Sequence, residues 1–113
     1  MTAAELRDHY AEELQETITV RRYTGSGVAR ARFDADVRGK AWGYSARELN
    51  GSIQQGDTRV LVLVQDLIDA QFAFPLTPSD KLIVKGKEIA IVSPAQRKAQ
   101  DGTLVVYDIQ ARG

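Results

Sequence analysis

Residues 56–113 are the most informative stretch for the fold and read GDTRVLVLVQDLIDAQFAFPLTPSDKLIVKGKEIAIVSPAQRKAQDGTLVVYDIQARG. Within this stretch, residues 60–64 (VLVLV) predict a strand without a polar break. Further apolar runs lie on either side of two hairpin turn signals, Lys85-Gly86 and Asp101-Gly102. Several apolar runs joined by tight turns predict a small, closed all-β unit with a single core.

The chain of 113 residues has the size of one domain, and 43% of its residues are hydrophobic. We therefore expect one domain over residues 1–113. Its predicted fold is all-β, a closed barrel or sandwich of about six strands with one N-terminal α-helix. The barrel is expected to span residues 17–111.

The charge and cysteine content narrow the possible functions. Lys plus Arg and Asp plus Glu both number 15, so the net charge is zero. This balance disfavours a broad, nonspecific nucleic-acid-binding surface and permits self-assembly. The chain has no cysteine, which excludes disulfides and thiolate metal sites and suits a reducing compartment.

The sequence does not predict a membrane protein. Its longest apolar run is far shorter than the roughly 20 residues that span a bilayer. The start of the chain carries several carboxylates, which do not fit a signal peptide: Glu5, Asp8, Glu12 and Glu13. We expect a soluble protein of the cytosol.

A helix is predicted over residues 3–15. Thr2 and Glu5 have the spacing of a capping box, in which each side chain satisfies an orphan backbone N–H. Leu6, Tyr10 and Leu14 recur on one narrow apolar stripe. Such a stripe is expected to cover one edge of the barrel or to dock on a neighbouring subunit.

The cleanest alternation in the chain predicts a strand from Ala29 to Arg38 with one face towards the core. Its apolar positions are Ala29, Ala31, Phe33, Ala35 and Val37, and its charged positions are Arg30, Arg32, Asp34, Asp36 and Arg38. The charged face is either solvated or aligns one subunit against another. Arg30, Arg32, Asp34 and Asp36 are therefore candidates for a subunit or partner surface.

The predicted core consists of apolar residues from the predicted strands. It comprises Ile18, Val20, Phe33, Val37, Val60, Val62, Val64, Leu82, Val84, Ile89, Ile91, Leu104 and Val106. Phe33 lies mid-strand on the apolar face, so truncating it to alanine is expected to cost roughly 3–5 kcal/mol.

Two long loops are predicted. Residues 39–57 contain four glycines that are expected to act as hinges, Gly39, Gly43, Gly51 and Gly56, and a loop of this length usually has a function. Trp42 within it either anchors a partner or packs at the barrel end. Residues 66–80 form the second loop. Its Phe72 and Phe74 either cap the core or, if exposed, make a partner surface.

The sequence contains no motif with the residues and spacing that catalysis or cofactor binding requires. Residues 25–27 (GSG) lack the third glycine of a dinucleotide fingerprint and lead into a strand. His9 is isolated on the helix, and Asp34 and Asp36 alternate with arginines, which favours ion pairing over acid–base work. The spacing of Asp66, Asp69 and Asp80 matches no calcium loop. We predict no catalytic residue, no cofactor and no metal, so the protein is not expected to be an enzyme.

The order of several short segments carries a resemblance to a known family. The segments are residues 16–23 (ETITVRRY), 48–63 (ELNGSIQQGDTRVLVL), 80–87 (DKLIVKGK), 101–102 (DG) and 110–113 (QARG). Together they resemble the small head–tail connector proteins of tailed bacteriophages and prophages, in the head-closure or stopper group. The resemblance covers most of the chain.

This resemblance implies a structural protein of the virion neck that is made in the bacterial cytoplasm. Its copies would form a ring that closes the DNA-filled head and joins it to the tail. The implied partners are further copies of itself, the portal or adaptor protein, and the tail or tail-terminator protein; packaged DNA is met only within the channel. Residues 39–57 would be the channel loop, with Trp42, Tyr44, Arg47, Gln54 and Gln55 as candidate contact residues.

Two alternatives remain open at this point. The protein could be a different neck or tail component, such as an adaptor or a tail terminator. It could instead be a solitary small-barrel domain that binds a peptide or a nucleic acid. Portal, protease and major capsid genes upstream would favour a neck or tail component.

Overall fold

A computed structural model describes residues 2–24, 31–44, 53 and 56–113. Its elements are α1 (Ala3–Glu13), β1 (Glu16–Thr24), β2 (Ala31–Gly43), β3 (Thr58–Leu63), α2 (Val64–Asp69), β4 (Lys81–Val84), β5 (Lys87–Lys98) and β6 (Leu104–Arg112). The strands form a closed antiparallel barrel in the order β1-β2-β3-β6-β5-β4, and β4 pairs back with β1. The predicted all-β barrel with an N-terminal helix is therefore confirmed.

Both predicted hairpin turns are present. Lys85 and Gly86 have φ angles of 51° and 80°, and this left-handed pair connects β4 directly to β5. Gly102 has a φ of 87°, and the Asp101 carboxylate accepts a 2.9 Å hydrogen bond from the backbone N–H of Thr103. Each turn thus has the backbone conformation that its residue types favour.

Strand β2 has the predicted inward face but extends further than expected. Ala35, Val37 and Gly39 are buried, and pairing with β3 continues to Gly43. The first part of the predicted loop is therefore strand. A Cβ at Gly39 would overlap the carbonyl oxygen of Leu61 and lie 2.7 Å from Cγ1 of Ile18, so the hinge predicted there is wrong. Gly39 is required because the neighbouring strand passes too close for a side chain.

Strands β3 and β6 are buried on both faces because α1 covers the outside of the barrel there. A second apolar cluster lies between the helix and this wall, and its buried members are Leu14, Leu61, Leu63, Ala99, Val105 and Val106. Leu6 and Tyr10 pack against it, as the predicted stripe requires. The helix ends at Glu13 with Leu14 as its C-cap, and Thr2 caps its start by accepting a 3.1 Å hydrogen bond from the Glu5 N–H.

The segment Val64–Asp80, called here the lid, joins β3 to β4 and closes one end of the barrel. The sequence predicted that Val64 continues the strand and that residues 66–80 are irregular, but Val64–Asp69 form α2. Leu67, Phe72 and Leu76 of the lid are buried in the main core. The apolar run Val60–Val64 therefore passes from β3 into α2 without a polar residue, because its side chains are buried in both elements.

The main core contains side chains from all six strands and the lid. Most of the predicted core residues are buried, with Val106 in the cluster under α1 and the others in the main core: Ile18, Val20, Val37, Val60, Val62, Val64, Leu82, Ile89, Ile91 and Val106. Val84 and Leu104 are partly buried against this core. Leu67, Leu76, Tyr107 and Ile109 are buried members that the prediction missed.

Phe33 is the error in the predicted core, because its side chain is 43% exposed. The inward face was predicted correctly, but β2 pairs with β3 only between Gly39 and Gly43. Phe33 lies in the part of β2 that is paired with β1 alone, opposite Arg22. It therefore projects at the margin of the barrel interior and not within it.

Candidate partner-binding surface

Arg22 fixes the lid to the barrel. Its Nε and Nη2 atoms each donate a 2.8 Å hydrogen bond to the Asp80 carboxylate. Its Nη1 and Nη2 atoms also donate to the backbone carbonyls of Ala73 and Pro75, at 2.8 and 2.9 Å. One side chain from β1 thus holds both the middle and the end of the lid.

Asp80 is the buried half of this pair, with 1% of the residue exposed. It also accepts a 2.9 Å hydrogen bond from the backbone N–H of Thr77. The bond to Asp80 raises the pKa of Arg22 and outweighs the opposing effect of burial. A buried carboxylate that is bonded in this way holds its surroundings in one arrangement.

Aromatic rings lie around this anchor. Phe72 is 3% exposed, and the Arg22 guanidinium lies 4.4 Å from the centre of its ring. The ring of Phe33 lies 6.1 Å from that of Phe72, and Phe74 stacks on the buried Tyr107 at 6.4 Å. Both outer rings are therefore backed by a buried aromatic side chain.

The lid end of the barrel exposes large apolar side chains. Among the described residues, the exposed large hydrophobic side chains are Phe33 at 43%, Phe74 at 42% and Ile68 at 51%. We call these three residues the lid-end patch. Phe72 and Phe74 were both predicted either to cap the core or to form a partner surface; Phe74 is exposed in the patch, whereas Phe72 is buried beneath it as a core cap. Exposed apolar side chains at one end of a barrel are candidates for a protein-binding surface.

The charged face of β2 is paired within the sheet. Arg21 donates to both carboxylate oxygens of Asp34, at 2.8 and 3.0 Å, and to Glu88 at 3.1 Å. The hydrogen bond from Arg21 lowers the pKa of Asp34. Asp36 accepts a 2.6 Å hydrogen bond from the hydroxyl of Thr19. The two carboxylates predicted as partner contacts are thus bonded to the neighbouring strand.

The arginines of this face differ in their pairing. The side chain of Arg32 is 58% exposed, and its nearest carboxylate in the described part of the chain is Asp34, at 3.9 Å. Arg38 donates to both oxygens of Asp66, at 2.9 Å each, and its backbone N–H donates to the same carboxylate. Arg38 thereby ties α2 to β2, while Arg32 remains exposed on the charged face of β2.

Trp42 lies in β2 and not in a loop. The guanidinium of Arg59 lies 5.1 Å from its ring centre, and the ring packs against the cluster under α1. This is the packing alternative that the sequence left open. Tyr44 follows β2, and with Ile53 and Arg59 it lines an open groove of about 320 Å³. Arg30, Arg47, Gln54 and Gln55 lie outside the described residues.

The opposite end of the barrel is held by a second buried aspartate. Asp57 is 4% exposed and accepts hydrogen bonds from Gln110 Nε2 at 2.9 Å and from Arg112 Nε at 2.8 Å. This end carries Gly43, Gly56 and the Lys85-Gly86 turn. Sequence reasoning missed both buried aspartates, since each pairs with a residue far away in the chain.

The described segments contain neither a candidate metal site nor a helix suited to crossing a membrane. Within residues 2–24, 31–44, 53 and 56–113, no group of three or more His, Cys, Asp or Glu side chains could hold a metal ion. No helix in these segments combines the length and hydrophobicity that crossing a membrane requires. Comparisons with protein-family models, curated proteins and solved structures gave no match.

Proposed function

We propose that this protein is a structural component of the neck of a tailed bacteriophage, in the head-closure group. Its copies form a ring that closes the DNA-filled head and joins it to the tail. The phage assignment comes from the resemblance of residues 16–23, 48–63 and 80–87. The lid-end patch is the single observation that carries the assembly role, because rigid exposed aromatic side chains are typical anchors of protein contacts.

The pairing of the carboxylates supports an assembly role over catalysis. Asp34, Asp66 and Asp108 are bonded to arginines and have pKa values below the ordinary range. Burial alone raises the pKa of Asp108, but the bonds and charges of Arg59 and Arg97 outweigh it. Carboxylates in this state are weak bases. We therefore propose a non-catalytic protein that has no cofactor.

The proposed channel segment is shorter than the sequence indicated. Residues Gly39–Gly43 pair with β3, so the segment that could reach a ring channel begins after Gly43. Asp57, at its other end, is fixed to Gln110 and Arg112. Shortening the chain between Gly43 and Asn50 should leave the barrel folded, since changes in loop length cost little stability. It should impair DNA retention or tail joining.

Disruption of the coding sequence in the genome that carries it tests the proposed function. We expect filled or leaking heads and separate tails, both visible by electron microscopy, and recovery when the intact protein is supplied in trans. A matched control supplies a chain truncated within β6, which cannot close the barrel. Infectious particles in normal number, with joined tails and no supplied protein, would refute the neck assignment.

A further inference from the structure

We propose that the outer edge of β2, formed by the main chain of Arg32, Asp34 and Asp36, binds an extended strand of a partner protein. The partner strand runs antiparallel to β2 and carries an acidic side chain opposite Arg32 and a basic one opposite Asp36. The inference goes beyond the proposed function, because it follows from strand pairing and charge and does not depend on the phage assignment. We call these three residues the β2 edge.

The first half of β2 extends beyond the point where the barrel closes. It pairs with β1 from residue 31 to residue 39. On its other side it pairs with β3 only from Gly39 to Gly43, because the chain leaves β3 after Leu63 and continues as α2. Within the described part of the chain, residues 31–38 therefore have a neighbouring strand on one side only.

A hydrogen bond of Arg38 identifies the main-chain groups that face the open side. The backbone N–H of Arg38 donates a 2.8 Å bond to the Asp66 carboxylate of α2, so it points away from β1. Successive residues of an antiparallel strand direct their main-chain groups to alternate sides. The N–H and C=O groups of the β2 edge therefore also point away from β1. In the described chain, no backbone hydrogen bond reaches them on that side.

The edge of β5 shows how an unpaired edge is closed to strand addition. β5 pairs with β4 only from Lys87 to Ala90, and the rest of the strand contains Pro94 and two register shifts against β6. Prolines and bulges are devices that keep an edge strand from pairing with another chain. The β2 edge has no proline, and its register with β1 is unbroken. It therefore retains the geometry that strand addition requires.

The charges of the β2 edge define the charges of its partner. The side chain of Arg32 is 58% exposed, and its nearest described carboxylate, Asp34 at 3.9 Å, is already bonded to Arg21. Asp36 is exposed and accepts a hydrogen bond from the uncharged hydroxyl of Thr19. The edge thus has a positive charge at one end and a negative charge four residues further on. Opposite charges attract across a strand pair and like charges repel, so the pattern selects a complementary strand.

Phe33 offers an apolar contact to the same strand. Its side chain points to the opposite face of β2 from the charged residues and is 43% exposed. Aromatic and β-branched side chains pair favourably across neighbouring strands. Read from its N-terminus, the expected partner segment therefore has a basic residue, then an acidic residue four positions later, with β-branched residues at the alternate positions between them.

Hydrogen exchange of backbone amides, measured by NMR, tests the edge with the synthetic peptide Thr-Lys-Val-Thr-Val-Glu-Thr, which has this pattern. Without peptide, the amides of the β2 edge should exchange faster than those of Phe33 and Ala35, which face β1. Saturating peptide should slow the exchange of the three edge amides by about tenfold or more, because they become bonded to the added strand.

Two substitutions at one position separate main-chain pairing from side-chain contact. Asp34→Ala and Asp34→Pro both lose the bond with Arg21, but only proline removes the outward N–H, and an outward position on an edge tolerates proline. Asp34→Ala should bind the peptide and Asp34→Pro should not, with circular dichroism checking that both are folded. A peptide with lysine in place of glutamate should bind the wild type more weakly and bind Arg32→Glu more tightly than the wild type.

Three results overturn the inference. The first is a set of edge amides that the peptide leaves unprotected. The second is binding that Asp34→Pro does not weaken, because main-chain pairing would then not hold the peptide. The third is protection that appears without peptide as the protein concentration rises, because the occupant would then be a second copy of this chain.

Discussion

Both ends of the barrel contain a buried aspartate that is paired with an arginine, but the two ends present different surfaces. At the lid end, Arg22 holds the buried Asp80. At the opposite end, Arg112 holds the buried Asp57, with Gln110 as a further donor. Each pair joins a strand to a segment outside the sheet, so each end is closed by a charge pair and not by apolar packing alone.

The difference lies in what each end exposes. The lid end presents the lid-end patch, whereas the described part of the opposite end carries glycines and the Lys85-Gly86 turn without an exposed large hydrophobic side chain. A buried ion pair adds little stability over a well-packed apolar replacement, whereas removing one partner alone is strongly destabilising. We infer that both pairs fix the ends of the barrel, and that the lid end is the end that binds.

The largest expected effect on stability distinguishes the roles of Phe72 and Phe33, whose rings are neighbours at the lid end. Phe72→Ala should lower the free energy of unfolding by about 3–5 kcal/mol, because the ring is buried and its loss leaves a cavity. Phe33→Ala should cost only about 1 kcal/mol, because nearly half of that side chain remains in water. Urea denaturation followed by circular dichroism measures both. Equal losses would show that Phe33 belongs to the core after all.

The next effect compares the two buried aspartates directly. Arg22→Met should cost about 3 kcal/mol, since it leaves Asp80 buried without its cation; the side chain of Arg22 is 25% exposed, which keeps the cost at the low end. Arg112→Met should cost less, because Gln110 continues to donate to Asp57. Urea denaturation is again the measurement. A larger loss of stability for Arg112→Met would show that the pair with Asp57 matters more for stability than the pair with Asp80.

A smaller effect tests the strand that connects the ends. Gly39→Ala should destabilise the barrel by about 1–3 kcal/mol, because its Cβ would meet the Leu61 carbonyl and Ile18. Gly43→Ala is the matched control: a Cβ there has no atom within 4 Å, so the change should stay within about 0.5 kcal/mol. Thermal unfolding compares the two variants. A tolerated Gly39→Ala would mean that β2 and β3 are not so closely paired.

The smallest effect concerns the attachment of α2 to β2. The hydrogen bond from Arg38 lowers the pKa of Asp66, so the folded pKa lies below the unfolded value of about 3.9. The stability from this pair is therefore present above the unfolded pKa and is lost as pH falls through the folded pKa. Because Arg38 is half exposed, the loss should be below about 1 kcal/mol.

The matching measurement compares urea denaturation of the wild type and Arg38→Gln at pH 6 and pH 2. The variant should lose less stability on acidification, since its Asp66 no longer has a lowered pKa. Lys85→Gln, at the other end, should behave as the wild type does. A wild type and an Arg38→Gln variant with the same acid sensitivity would show that this pair does not hold the lid.

Local pattern was enough to predict most of the barrel. The turns at Lys85-Gly86 and Asp101-Gly102 depend on residues next to each other in the chain, and the alternation of β2 identified the face that Ala35 and Val37 bury. The error in the predicted core arose because the position of Phe33 depends on tertiary contacts. Alternation cannot show that the pairing of β2 with β3 begins at Gly39, so Phe33 was placed in the core although it lies beyond this pairing.

The candidate binding surface was predictable only in part. Phe74 stood out as an aromatic residue in a Pro-containing loop, but Ile68 belongs to a helix that an unbroken apolar run concealed. Arg22 and Asp80 are 58 residues apart, and no spacing rule connects them. A possible signal was the alternation of β1, in which Arg22 occupies the inward position after Ile18 and Val20.

The inferred role of the lid end as the end that binds a partner can be tested by site-specific photo-crosslinking, with benzoylphenylalanine placed at position 74 or at position 85 in the cells that produce the protein. We predict that position 74 yields crosslinks to a protein partner, and that these are lost with Phe33→Ser. Position 85 should yield none. Crosslinks from position 85 together with none from position 74 would contradict the account.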